Sequence, residues 1–186
     1  MNPATVPLPD MYDAVESALI SHGAAPDVAA AVATATRESE ECGNTICGLA
    51  YVESYCRQLA TGRVDGVVAP VVSHARPAAV RVDAKFGFAQ PAFNAGIEQA
   101  VASAKELGLA ALSIEHSHTC TSLGYFTERL TRRGVIALGY TNATPPVSLH
   151  PVATRRSSAR TQLRCQCQTE TGEWHCSSTL QRARLR

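Results

Sequence analysis

The sequence predicts an α/β fold, with N-terminal helices followed by strand-helix-strand units. Apolar residues recur at helical spacing through the first sixty or so positions and then alternate with polar ones in Ala78–Asp83, AAVRVD. The stretch Leu109–Pro145 runs from an apolar segment, Leu109–Ile114, through a polar turn with two histidines. It continues as a helical pattern, Leu123–Arg133, and a second apolar run from Val135. A crossover of this kind joins parallel neighbours, and its loop opens beside a helix N-terminus where free N–H groups and the macrodipole attract anions. The loop His116–Ser122 is therefore the first candidate ligand site.

Composition bounds the class. With 186 residues and 45% apolar content the chain can bury a core. No apolar run approaches the roughly 20 residues that cross a bilayer, and MNPATVPLPDMYD lacks the basic and apolar parts of a signal peptide. A cytoplasmic protein without a membrane partner is expected. Seven cysteines is an odd number, and Cys42, Cys47, Cys56 and Cys120 are scattered, which argues against a secreted disulfide framework and for reduced thiols. Charge is unevenly spread: residues 1–149 hold 10 Lys and Arg against 14 Asp and Glu, whereas 150–186 hold 7 against 2.

Taken in order, Asp10 suits the N-cap of a first helix with Met11, Val15, Ala18 and Leu19 on its apolar face and Gly23 as its stop. Ser21-His22-Gly23 is read as that helix's terminus. Pro26 suits the first position of a second, alanine-rich helix running to about Glu41, with Val28, Ala29, Val32 and Ala35 on one face. Asn44 and Thr45 mark a turn before a third helix, whose stripe is Leu49, Val52, Tyr55, Cys56 and Leu59 and whose stop is Gly62. Cys47 would sit near that helix's start, where the dipole could lower a thiol pKa, but the stronger reading on sequence grounds is a small buried apolar residue. Residues 67–77 read as extended and loop-like, Ala78–Asp83 as a strand, and Gly87 as a turn. A long helix is expected from about Pro91 to Leu107, with Phe93, Ile97, Ala100, Val101 and Ala104 facing a sheet and Gly108 as its stop.

After Pro145 the character changes. The segment to Arg186 shows no sustained period, has seven arginines and no lysine, and carries three of the seven cysteines, so a tail without order is expected. Cys165, Cys167, His175 and Cys176 do not have the spacing of the usual zinc modules. The tail's arginines lack interleaved aromatics, so no nucleic-acid partner is expected. His116 and His118 are spaced as two metal ligands leaving a strand can be, but no third ligand is evident and no metal is assigned. Neither GxGxxG nor GxxxxGK[ST] is present.

Four segments together suggest a family: the two alanine-rich helices, CGLAYVESYCRQLATGRVDG, VDAKFGFAQPAFNAGIEQAVASAKELGLAAL and SHTCTSLGYFTERLTRRGVIALGYTNATP. Over roughly residues 10–147 the chain resembles the type 2 malate/L-lactate dehydrogenase family, which includes sulfolactate, ureidoglycolate and diketogulonate oxidoreductases and cyclic imino acid reductases. The resemblance implies a non-Rossmann α/β fold, NAD or NADP as cofactor, and hydride transfer to or from a 2-hydroxy or 2-oxo acid or a cyclic imino acid. It implies a homodimer in complete relatives. It also implies dinucleotide contacts from His118, Thr119, Cys120, Thr121 and Ser122. The expected organisation is a helical region over 1–66, a partial nucleotide-binding domain over 67–148 and an aberrant tail over 149–186.

Two departures stand out. Where members carry Ser-His-Gly or Gly-His-Gly, this chain has Ile46-Cys47-Gly48, with Tyr51 four residues on. Cys47 becomes the proton-handling candidate and Tyr51 and Tyr55 the substrate candidates, without a histidine's near-neutral pKa at position 47. Beyond the TNATPP segment the family continues with a glycine-rich GTNP-type stretch, and here the arginine-rich tail stands instead. A frameshift or truncated reading frame after about Ser148, with impaired activity, is expected. The other classes are a metal-dependent hydrolase built on His116 and His118, and a noncatalytic interaction fragment.

Overall fold

The computed structural model describes residues 6–118, 120–143, 160–168 and 174–179, with residues 142–143 and the last two stretches described through their backbone alone. The chain divides into two compact units, Met1–Tyr125 and Phe126–Arg186.

The first unit opens with α1 (Leu8–Ser21) and α2 (Pro26–Glu41). Helix α1 starts two residues before the expected cap: Pro7 is the cap residue, and Asp10 lies inside the first turn. Pro9, whose fixed φ and missing N–H are harmless in a first turn, lets the helix begin there. Pro26 opens α2 as expected, and the Ser21-His22-Gly23 stretch ends α1. Two short 3-10 turns, Thr45–Cys47 and Leu49–Tyr51, precede α3 (Val52–Ala60). Met11, Val15 and Leu19 of α1, Val28, Ala29 and Val32 of α2, and Tyr55 and Leu59 of α3 form one core, joined by Phe88.

The segment expected to be loop-like contains β1 (Val71–Arg76), which pairs antiparallel with β2 (Ala79–Asp83). Its residues are almost all exposed, so no apolar alternation announces the strand. Strand β2 is followed by α4 (Ala89–Leu107) and then β3 (Ala111–Glu115), which pairs parallel with β2, Val80 opposite Leu112 and Val82 opposite Ile114. This is the crossover unit of the first sheet, whose order is β1-β2-β3. Val80 and Val82 pack against Ala92 and Ala100 of α4, with Leu112 and Ile114 beside them. Gly108 ends α4 in the left-handed region at φ 79°.

The expected parallel crossover from β3 to the next strand is corrected. After α5 (Leu123–Thr131), β4 (Ala137–Ala143) pairs antiparallel with β5 (Arg160–Gln168), and β5 pairs antiparallel with β6 (Trp174–Thr179). Both β5 and β6 fall in the segment from which no order was expected. In the sequence Leu163, Cys165 and Cys167 alternate with Arg164, Gln166 and Gln168, a period of two masked by the cysteines and the high polar content. The zinc arrangement weighed above falls on residues whose side chains lie outside the described ones, as does most of the rest of 149–186.

Helix α4 approaches the sheet closely at Gly96, where a Cβ would stand 2.6 Å from Val82 Cγ2 and 2.8 Å from Leu112 Cδ1. Gly96→Val should therefore destabilise the fold by about 1–3 kcal/mol through overpacking. A lower urea midpoint by far-UV circular dichroism is the expected result.

Candidate active site

The carboxyl ends of β2 and β3 lie side by side, and the chain leaving each one is bonded to the other. Ala84 N–H donates to the Glu115 carbonyl at 3.0 Å, Phe86 N–H to that of His116 at 2.6 Å, and His118 N–H to that of Gly87 at 2.8 Å. A fourth bond, Asp65 N–H to the Phe86 carbonyl at 3.1 Å, ties in the chain after α3. Lys85, Phe86, His116 and Thr121 all have positive φ, at 48°, 65°, 48° and 51°. Non-glycine residues in this region cost on the order of 1–3 kcal/mol each and persist where their surroundings over-determine them, as at ligand sites.

This geometry sends the two histidines to different places. His116 stacks at a tilt on Phe86, centroids 5.4 Å apart, and its Nδ1 lies 3.0 Å from Asp83 Oδ1. The same Asp83 oxygen accepts the Lys85 N–H at 2.8 Å; these two bonds hold the Asp83 carboxyl below the usual carboxylate range. His118 instead enters an aromatic group. Its ring meets Tyr55 edge-on at 6.1 Å and Phe88 at 5.8 Å, while Tyr55 and Phe88 are themselves 5.5 Å apart. Tyr51 adds a fourth ring, 5.9 Å from Tyr55.

The group is arranged to stay uncharged. Burial, and then the Arg63 cation, push the His118 pKa down, so the imidazole is neutral near pH 7. Burial pushes the Tyr55 phenol well up, against a smaller opposite effect of its bond to Thr121, and Cys47, Tyr51 and Cys120 add to the rise. The Tyr55 hydroxyl donates to Thr121 Oγ1 at 3.2 Å. Burial also raises the Cys47 thiol, more than its bond with the Asn44 side chain lowers it. The structure thus goes against the weaker, dipole-lowered reading of Cys47: α3 begins only at Val52, and the half-buried Cys47 closes a 3-10 turn before it.

One atom stands out in the group. His118 Nε2 is buried and has no hydrogen-bond partner among the described residues. A buried polar atom in that condition carries a desolvation penalty of about 1–3 kcal/mol, which an incoming polar group relieves.

Of the sequence-predicted residues, the structure brings His118, Thr121, Tyr51 and Tyr55 together, with Cys47 and Cys120 in electrostatic reach of the Tyr55 hydroxyl. Ser122 lies in the same loop, half-buried, and Thr119 lies outside the described residues. Phe88 was missed as a site residue; the FGF stretch before α4 was its only signal. His116 and His118, weighed as a metal pair to which no metal was assigned, do not share a common face, because the left-handed His116 breaks the strand alternation on which the pairing rested. Ligand atoms of Asp83, Glu115 and His116 do lie within 4.8 Å of one another, but Asp83 is bonded to His116, and Glu115 is clamped by both arms of Arg81.

Residues 6–158 match the family of malate/L-lactate dehydrogenases. The chain belongs to the malate/L-lactate dehydrogenase family. Among its relatives, the Δ1-pyrroline-2-carboxylate/Δ1-piperideine-2-carboxylate reductase of Pseudomonas syringae pv. tomato is 34% identical over 146 residues, 78% of this chain and 43% of that protein. The (2R)-3-sulfolactate dehydrogenase (NADP(+)) of Chromohalobacter salexigens is 36% identical over 126 residues, 67% of this chain and 36% of that protein. The crystal structure of the P. syringae Δ1-piperideine-2-carboxylate reductase superposes with a TM-score of 0.85 at 30% identity, covering 95% of this chain and 53% of that one. This member of the malate/L-lactate dehydrogenase family thus spans less than half the length of these curated relatives.

The lowered His118 pKa has a consequence for stability in this family member. Below the unfolded-state value near 6.5 the unfolded chain binds the proton more readily, so His118's contribution is full above that pH and is lost as pH falls through it. The melting temperature should drop between pH 7 and pH 5, and His118→Gln should flatten that drop. An unchanged slope in the variant would contradict the neutral assignment.

Proposed function

We propose that this chain forms part of the active site of an NAD(P)-dependent oxidoreductase acting on a 2-oxo or 2-hydroxy acid or a cyclic imino acid. The observation that carries the reading is the buried, unpartnered Nε2 of His118, walled by Tyr55 and Phe88 beyond the carboxyl ends of two parallel strands, where open α/β sheets take ligands. Family membership and the reductase and dehydrogenase relatives support it. The nicotinamide nucleotide, NAD or NADP, supplies or accepts the hydride when bound.

The chain's own residues do the rest. The segment His118–Ser122 contacts the nucleotide, with Thr121 held in place by Tyr55. His118, the one group of the cluster with an ordinary pKa close to neutrality, exchanges a proton through Nε2. Cys47, kept protonated, acts as a donor, and Tyr51 and Tyr55 form the wall beside the substrate. A cytoplasmic setting is part of this proposal, and so is a homodimer in complete relatives, the latter as the family resemblance implies. Among the described residues no helix is long and apolar enough to cross a membrane.

The segment after about Ser148 is proposed to arise from a shifted reading frame, on the strength of its reversed charge balance and its arginine and cysteine content. Resequencing the coding DNA around codon 148 tests this; an uninterrupted frame with the same codons overturns it. For the site, fluorescence titration with NADH and NADPH should show saturable binding of at least one. His118→Ala should weaken that binding about tenfold or more, the equivalent of roughly 1.4 kcal/mol. No saturation with either nucleotide in the folded protein would remove the reading. Oxidation of NAD(P)H with pyruvate or Δ1-piperideine-2-carboxylate is expected to be weak or absent in this chain.

A further inference from the structure

Glu40 lies in the last turn of α2, and its side chain does something the sequence does not announce. Oε1 accepts the Leu49 backbone N–H at 2.7 Å, nine residues along the chain. To reach it the carboxylate passes directly over Gly48. A Cβ on Gly48 would sit 2.6 Å from Glu40 Cδ and 2.8 Å from Glu40 Cγ, and would overlap Oε1 as well. The carboxylate can therefore take this position only while residue 48 is glycine, and a methyl there would push it aside.

The bond falls at the joint between the two 3-10 turns. The first is closed by Cys47 N–H to the Asn44 carbonyl at 2.9 Å and Gly48 N–H to that of Thr45 at 3.2 Å. The second is closed by Tyr51 N–H to the Gly48 carbonyl at 3.1 Å. An N–H at the start of a helical turn has no acceptor within that turn, and Glu40 supplies one to Leu49 with a charged oxygen, the stronger kind of acceptor. Upstream, Asn44 N–H is tied to the Ser39 carbonyl at 2.8 Å. The short segment 44–51 is thus fastened to the end of α2 at two points, one backbone and one side chain. Cys47 and Tyr51 both ride on it.

We propose that Glu40 is a positioning residue: its carboxylate locks the Cys47–Gly48–Leu49 joint and so sets the placement of the Cys47 thiol and the Tyr51 ring beside Tyr55. The proposal rests on the reading of this cluster as the active site, but it concerns the joint itself. Its test is therefore chosen to read the thiol without any turnover. Loss of the lock should free the thiol from the partial burial that raises its pKa, which increases its thiolate fraction at a given pH.

The experiment measures the rate of iodoacetamide alkylation of Cys47 against pH, resolved from Cys42 and Cys56 by fragment-ion mass spectrometry, in the full chain. Glu40→Ala should raise the rate at pH 7.5 about fivefold or more and move the midpoint of the pH profile downward, with the far-UV spectrum retained. Glu40→Gln, whose amide oxygen can still accept from Leu49, should stay within about twofold of the parent. Gly48→Ala, whose methyl takes the place of the carboxylate, should match Glu40→Ala, and the double variant should be no faster than either single one. An unchanged rate and midpoint in folded Glu40→Ala would overturn the proposal. Should Glu40→Ala fail to fold, the same result in Gly48→Ala would overturn it. Failure of the parent chain to bind NADH or NADPH would remove the active-site reading and leave the alkylation result standing.

Discussion

The parallel pairing of β2 with β3 does not stop at the ends of the strands, and the site depends on its continuation. Past the Asp83 and Glu115 pair, three more backbone bonds join the departing chains, and they carry Phe86, Phe88, His116 and His118 to their places. Backbone groups at such a junction need partners, and here each chain supplies the other's. The four left-handed residues around the junction, none of them glycine, are consistent with a conformation imposed by these bonds rather than chosen locally. Were the loops joined by side chains alone, the rings would have no fixed edge-on geometry.

Burial then decides the chemistry. Cys47, Tyr55 and His118 are three groups that could each carry a charge, and desolvation is the largest influence on all three. It favours the neutral form of each, the thiol and phenol with their protons and the imidazole without its extra one. The Asp83 and His116 pair, one turn of chain away and open to water, shows the opposite regime, in which hydrogen bonds favour the charged carboxylate.

Much of the helical framework was legible because helix signals are local. Pro26 opening α2, the stripe of Phe93, Ile97, Ala100 and Val101, and Gly108 closing α4 all follow from residues within a turn or two of one another. The strands were less so. β1 lacks alternation because it is nearly all exposed, and β5 was hidden among arginines and glutamines. The family resemblance supplied the loop His118–Ser122, whereas Phe88 could only be recognised once α4 and the helical core had been brought together around it.

By itself the sequence determined roughly where helices end, which faces they bury and which family the chain belongs to, since periodicity, glycine stops and motif order are properties of the chain alone. Tertiary structure decided which strand β3 would take as a partner, since hydrogen bonds between strands are made by backbones that every residue shares. It decided that His116 and His118 would part, through a left-handed turn that no residue type demanded. It decided the protonation of Cys47, Tyr55 and His118 as well, because desolvation is set by what a fold packs around a group and not by the neighbours it has in sequence.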